Sequence, residues 1–338
     1  MPEPLIWLTE SDVVGLVKLD DAIVALERGL GSLAQGNGFN VAKALGGFGD
    51  SSSMHSLGSG LPGSGGAAGY VGFKNWVHTK RGATALFVMF EAETGALVAV
   101  MEAAALGQLR TSAITGVGTK WLAPAGAADM ALIGTGAQAI TQIAAVNAVR
   151  PLDRLRVYSP TPEKRRAFVE SARAKFDIEV IESSSVEHAT EGAPIVTLVT
   201  RASEPFLRAA MLAKGAHLNA VGAILPRNAE FAQDVFERAG IVAVDDLPNI
   251  QKASREFIEY YEQGGRGWNS VRTMGDVIDK GEARPAGCDV SLFKAMGMGI
   301  SDLSVALIAL ERARKRGVGR TIPHPVRAVP QWNAPVRA

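Results

Sequence analysis

Residues 130–139 read MALIGTGAQA, an apolar run that breaks at Gly134-x-Gly136-x-x-Ala139 and continues into a helix-like stretch reaching residue 149. Gly134 permits the tight turn off a strand, Gly136 lets backbone approach a pyrophosphate, and Ala139 is small enough for a helix to pack closely on that strand. Phosphates would sit at the helix N-terminus, where unpaired amides and the dipole favour negative charge. The turn Gly134, Thr135, Gly136, Ala137 and Gln138 is therefore the expected cradle of a dinucleotide, with Val221 and Gly222 beside it.

From residue 129 onward strand and helix alternate. Short apolar strands at 130–133, 155–158, 195–199, 217–221 and 242–244 are separated by amphipathic stretches such as 163–175 and 205–213. That rhythm predicts a Rossmann-type, doubly wound parallel sheet in an α/β fold. Before it, Thr9-x-x-Asp12 caps a helix at about 11–17, and a second helix at 20–34 stops at Gly36. β-like runs follow, including 70–77 and 85–90. The Gly/Ser-rich segment 46–72 reads plainly as a long flexible connection, and functionally as a loop over a pocket. A last helix at 302–316 ends at Gly317. The expected organisation is a separate α+β unit over residues 1–124, with 301–320 returning to it, a cofactor domain over 125–300, and a Pro-containing basic tail over 321–338 that is poorly ordered or wrapped on a neighbour. The active site is expected in the cleft between the two domains, beside the carboxyl ends of the strands.

A net charge of +1 over 338 residues offers no field for nucleic acid or an anionic membrane. Cys288 is the only cysteine, so an intrachain disulfide is impossible and a reducing cytoplasm is the natural compartment. No stretch approaches the 18 or more apolar residues of a membrane span, and the N-terminus lacks the pattern of a signal peptide. None of His188, His217 and His324 is paired at metal-ligand spacing, and no metal site is expected.

The second strand of the alternating part ends Tyr158-Ser159-Pro160-Thr161-Pro162-Glu163-Lys164-Arg165. An acidic residue would bind a ribose diol there. Hydroxyls at Ser159 and Thr161 with Lys164 beyond instead suit a 2′-phosphate, which favours NADP(H), with NAD(H) possible.

Several segments together resemble the ornithine cyclodeaminase/mu-crystallin family: LRTSA at 109–113, GTGAQA at 134–139, VYSPTPEKRRAFVE from Val157, KGAHLNAVGA from Lys214 and MGISDLSVALIALERA from Met298. The resemblance spans about residues 5–320 and implies a homodimer formed through the first domain. It implies that Arg110 binds a substrate carboxylate, a task suited to a planar guanidinium fork, with Thr111 and Ser112 close to the cofactor. Lys74, in GYVGFKNW, matches a lysine of the substrate pocket. Lys43 stands about where relatives carry a second carboxylate-binding arginine, and Met54 follows at the usual interval. Asp302 matches an acidic position at the start of the last helix; its plain reading is a helix cap, and its functional one a hydrogen bond near the nicotinamide. Glu230 reads as structural.

One departure limits the chemistry. Cyclodeaminases carry an aspartate two residues past the glycine of the VGA segment, where this chain has Ile224. A hydrocarbon neither takes a proton nor pairs with an ammonium. The reading that follows is an NAD(P)H-dependent reductase of an imine or cyclic ketimine, or an amino-acid dehydrogenase running in reverse. Lys74 is the expected proton donor or polarising group. His78, four residues on and on the same strand face, is the alternative acid, although a half-buried strand histidine is its plain reading. Ornithine cyclodeaminase or alanine dehydrogenase activity, an imine-forming synthase, and a non-catalytic NADPH-dependent binding protein are the alternatives.

Overall fold

The computed structural model describes residues 4–50, 52–63, 68–330 and 332. Six strands come first: β1 (Leu5–Leu8), β2 (Phe39–Phe48), β3 (Ser52–Leu61), β4 (Tyr70–Thr79), β5 (Gly82–Glu91) and β6 (Leu97–Glu102). Eight more follow: β7 (Asp129–Ile133), β8 (Arg154–Tyr158), β9 (Glu179–Glu182), β10 (Ile195–Leu198), β11 (His217–Ala220), β12 (Ala239–Val244), β13 (Val271–Thr273) and β14 (Val290–Lys294). These eight form one parallel sheet in the order β13-β12-β14-β11-β10-β7-β8-β9. The order reverses beside β7, so the crevice at the carboxyl ends of β7 and β10 is the switch point where such sheets take their ligands. The α/β fold and doubly wound sheet expected from the alternation are present.

The last strand, β15 (Arg320–Ile322), returns to the first sheet, whose order is β15-β1-β6-β5-β4-β3-β2. The chain is therefore still in a strand at Thr321 and Ile322, where the sequence places the start of the tail. Most of the described part of the Gly/Ser-rich segment is strand: residues 46–48 end β2, 52–61 form β3 and 70–72 open β4, and the three pair as an antiparallel meander, while residues 51 and 64–67 lie outside the described residues. Low β-propensity is overridden here because the small residues make room for aromatic rings. A side chain at Gly58 would collide with the ring of Phe73, and one at Gly60 with that of Phe39. The stretch 205–213 holds only a 3-10 turn at Ala209–Met211 instead of a helix.

Thr9 and Asp12 form the expected capping box on the helix Glu10–Leu16. The helix Leu19–Ala34 buries Ile23, Leu26 and Leu30. Between the two sheets runs the helix Ala104–Leu122, buried on several faces. Its C-terminal part is stitched to the parallel sheet by a buried polar chain: Asn219 Nδ2 donates to Thr119 Oγ1 (3.0 Å), Asn219 Oδ1 lies 3.0 Å from His217 Nε2, and His217 Nδ1 lies 3.0 Å from Ser291 Oγ. Burial pushes His217 down to about 3, so this histidine is a neutral structural link. The last helix, Gly299–Arg316, ends at Gly317 with φ +64° and packs on the helices Leu19–Ala34 and Ala104–Leu122 and on β3 and β4.

Candidate active site

Gly134 has φ +113°, and a side chain there would stand 2.7 Å from the Val199 carbonyl, so only glycine fits the turn. Its amide donates to the Tyr158 carbonyl (2.8 Å), which folds the chain sharply off β7. Nothing stands within 4 Å of the place a side chain would take at Gly136. The helix Ala139–Val149 begins just beyond, with Gln138 at its N-cap making no side-chain cap bond and Ala139 fully buried. Open space above Gly136 at the start of a helix is what a pyrophosphate requires. The turn fits a dinucleotide.

Across the crevice, Glu230 is fully buried and its carboxylate accepts four hydrogen bonds: from Thr200 N (2.7 Å), Thr200 Oγ1 (2.8 Å), Gly222 N (2.9 Å) and Ala223 N (2.9 Å). It ties together the loops leaving β10 and β11, including Val221 and Gly222, and burial pushes its pKa up. At the end of β8, Thr135 Oγ1 donates to the buried Ser159 Oγ (3.1 Å). Thr161 and Lys164 are exposed, and Lys164 makes no ion pair among the described residues. Arg165 is committed to Glu182 (2.9 Å) and to the Ser159 carbonyl (2.7 Å), which leaves Lys164 as the available base.

Strand alternation builds the second half of the site. Gly72, Lys74, Trp76 and His78 share the inner face of β4, and opposite them on β3 stand Ser59, Leu57, His55 and Ser53. Lys74 Nζ donates to Asp302 Oδ1 at 2.6 Å, and Arg110 Nε lies 3.4 Å from the same oxygen. Lys74 is 4% exposed and Asp302 is 0% exposed, so this cluster is shielded from water. Burial, with the nearby Arg110 guanidinium adding to it, brings Lys74 down to about 8 against the opposing pull of Asp302. The Asp302 carboxylate keeps one oxygen, Oδ2, without a hydrogen bond among the described residues.

Lys43 stands where the pairing of β2 with β3 slips between Val41 and Ala44. Such a bulge re-aims side chains. Lys43 makes no ion pair among the described residues, and burial with the nearby Arg110 charge lowers its pKa against the pull of Asp245. Gly297, at φ +85°, lies so close under Arg110 that a side chain there would come within 2.6 Å of Nη1. Asp245 holds this glycine turn in place, accepting from Met296 N (2.9 Å) and Gly297 N (2.7 Å), and burial plus the adjacent Asp246 raise it to about 6. Asn40 bridges the first sheet to the site: its Nδ2 donates to Asp246 Oδ2 (3.1 Å) and its Oδ1 accepts from Ile300 N (2.9 Å). Asn40, Asp245 and Gly297 were not singled out in the sequence. An acidic pair directly after an apolar strand is the signal that could have found Asp245.

Lys74, Arg110 and Lys43 thus lie together, with Arg110 against Gly297 at the carboxyl end of β14, the same end of the parallel sheet at which Gly134 follows β7, and three expectations need correction. Asp302 is not the helix cap, because the helix starts at Gly299 behind Met298, and its carboxylate pairs with Lys74. Met54 is 57% exposed and sits on the sheet face opposite Lys74, paired with Val77; Leu57 is the residue directly across from Lys74. His78 shares the face of Lys74 but is exposed instead of half-buried, two pleats and about 13 Å further along the strand. Thr111 and Ser112 flank Arg110, yet each hydroxyl donates to a carbonyl of its own helix, Thr111 to Gly107 (2.8 Å) and Ser112 to Gln108 (2.8 Å). Ile224 is 39% exposed.

A family model described as the ornithine cyclodeaminase/mu-crystallin family matches residues 6–317. The chain belongs to this family. It is 31% identical over 245 residues to a delta(1)-pyrroline-2-carboxylate reductase of Bacillus cereus, covering 72% of this chain and 75% of the relative. Among solved structures, the delta(1)-pyrroline-2-carboxylate reductase of Thermococcus litoralis in complex with NADH and L-proline superposes with a TM-score of 0.86 at 26% identity, covering 94% of this chain and 100% of the other. An archaeal alanine dehydrogenase dimer with bound NAD matches equally well, with a TM-score of 0.86, 26% identity and coverage of 94% and 99%.

Proposed function

We propose that this member of the family reduces the C=N bond of an α-imino acid, a cyclic ketimine carboxylate in the simplest case. It is an NAD(P)-dependent oxidoreductase acting on C=N and CH–NH bonds. The observation that carries this reading is the Lys74–Asp302–Arg110 cluster, its lysine and aspartate buried, in a chain that also carries the dinucleotide turn at Gly134. The turn from Gly134 to Gln138 would hold a nicotinamide dinucleotide, which would supply the hydride for the imine carbon.

The protein's own groups do the rest. The Arg110 fork, with Lys43 beside it, holds the substrate carboxylate and thereby orients the C=N bond. The Lys74 ammonium, held by Asp302, gives the amine nitrogen its proton, and at about 8 its pKa is matched to work near neutrality. Burial of Lys74 and Asp302 keeps water from competing at the proton donor. Ile224 offers no carboxylate for a second amine, which argues against cyclodeamination.

NADP(H) is the cofactor we favour, since Ser159, Thr161 and Lys164, which makes no ion pair among the described residues, supply hydroxyls and charge for a 2′-phosphate, and β8 is followed by Ser159 instead of by an acidic residue. We assign substrate binding and dimerisation to residues 1–124 with 301–320, and cofactor binding to 125–300. A homodimer is supported by the outer face of the β2–β4 meander, where Phe39, Val41, Phe48, Met54, Phe73 and Val77 are each 37–57% exposed. Contiguous apolar surface of this kind marks an interface. No helix among the described residues is long and apolar enough to cross a membrane, and the cytoplasm suits a chain with one cysteine. Arg110→Ala tests the carboxylate clamp: kcat/KM on pyrroline-2-carboxylate should fall by about a hundredfold or more, the worth of a lost charge-assisted fork, with little change on an uncarboxylated cyclic imine. Equal loss on both would refute the clamp.

A further inference from the structure

The inner face of β4 continues past Lys74 into a row that the reduction itself does not use. Trp76 and His55 are cross-strand partners, and their rings stack with centroids 4.4 Å apart and planes within 4°. On either side in register stand Leu45, 51% exposed, and the partly buried Ala85. The Lys74 ammonium lies 5.0 Å and the Lys43 ammonium 6.0 Å from the indole centroid, so two cation–π contacts hold the ring in place. His55 Nε2 is 2.8 Å from Ser53 Oγ, while its Nδ1 is buried without a hydrogen-bond partner among the described residues. Burial and the neighbouring Lys43 push His55 down to about 4, so the row carries no charge of its own at neutral pH. The two rings stand stacked face to face, braced and partly exposed, on the sheet face that carries Lys74.

Resting on the imine-reductase reading, we propose that the row Leu45–His55–Trp76–Ala85 is the specificity wall of the site, receiving a planar aromatic side group on the α-imino acid. With the carboxylate at Arg110 and the C=N bond at Lys74, the side group points along β4. Successive side chains on one face of a strand stand about 7 Å apart, the reach of a benzyl-sized group from the reacting carbon. A small aliphatic ketimine leaves the wall uncovered; an aryl group buries it. Trp76 and His55 are then specificity residues that touch substrate at a distance from the hydride transfer.

Calorimetric titration of the protein saturated with NADP+ or NAD+ tests this with phenylpyruvate and pyruvate, two keto acids that differ only by the phenyl group and occupy the place of the imino acid. The wild type should bind phenylpyruvate at least about tenfold more tightly, the effect of burying an aromatic ring against aromatic partners. Trp76→Ala and His55→Ala should bring that ratio towards one, while Trp76→Phe retains most of it. A ratio near one in the wild type, or one that survives in a folded Trp76→Ala protein, overturns the proposal. Binding needs no turnover, so a failure to reduce any imine would count against the catalytic reading, and the affinity ratio alone judges the wall.

Discussion

Replacing Asp302 by Asn keeps the size of the side chain and removes the charge that faces Lys74 at 2.6 Å and Arg110 at 3.4 Å. In the wild type Lys74 sits at about 8, with Asp302 holding it up against burial and against Arg110. An ion pair of this kind is worth on the order of 3 kcal/mol, equivalent to about two pH units. If Lys74 donates the proton, wild-type kcat/KM falls as the pH rises through about 8. In Asp302→Asn the same limb should move to near 6, so that at pH 7 most of the variant carries a neutral amine and little activity. Stability responds differently. Stranding a buried charge commonly costs about 3–5 kcal/mol, but Lys74 escapes by losing its proton, and deprotonating a group of pKa about 8 at pH 7 costs only about 1 kcal/mol. The assays are the pH profile of imine reduction and urea unfolding at pH 7. A limb that stays near 8 would refute Lys74 as the donor, and a stability loss of several kcal/mol would refute the escape by deprotonation.

Two further outcomes follow from the geometry. Lys164→Glu, on an exposed helix start, should raise KM for NADPH about tenfold through loss of one charge-assisted phosphate contact, with KM for NADH nearly unchanged; parallel changes would place cofactor preference elsewhere. The double substitution Met54→Glu and Val77→Glu puts charge on neighbouring partners of the outer sheet face and should convert a species of twice the chain mass, measured by light scattering, into monomer. A wild-type monomer, or an undisturbed dimer in the variant, would remove that face from the interface.

Much of the parallel half was legible because local chemistry and fold agree there: Gly134 must be glycine, and short apolar strands alternate with helices and turns. The first half was harder to read. Gly58, Gly60 and the serines of β3 look like a linker, since their reason for being small is the ring of a residue on a neighbouring strand. Lys74 could be singled out by resemblance, but its partner Asp302 is 228 residues away and reads as a helix cap until the helix start is known. Met54 was misplaced for a similar reason: strand period decides which face a residue takes, and only the register with β4 shows that Leu57, not Met54, stands with Lys74. The helix Ala104–Leu122 also has no clear apolar stripe, because it is buried between two sheets.

Consumption of NADPH and of NADH by the purified protein with pyrroline-2-carboxylate, piperideine-2-carboxylate and matched uncarboxylated cyclic imines tests the central claim most directly. Oxidation of a nicotinamide cofactor that depends on a carboxylated ketimine is the predicted result. No oxidation with either cofactor across the panel, in protein that binds NADPH, would contradict the claim and leave a binding protein in place of a reductase.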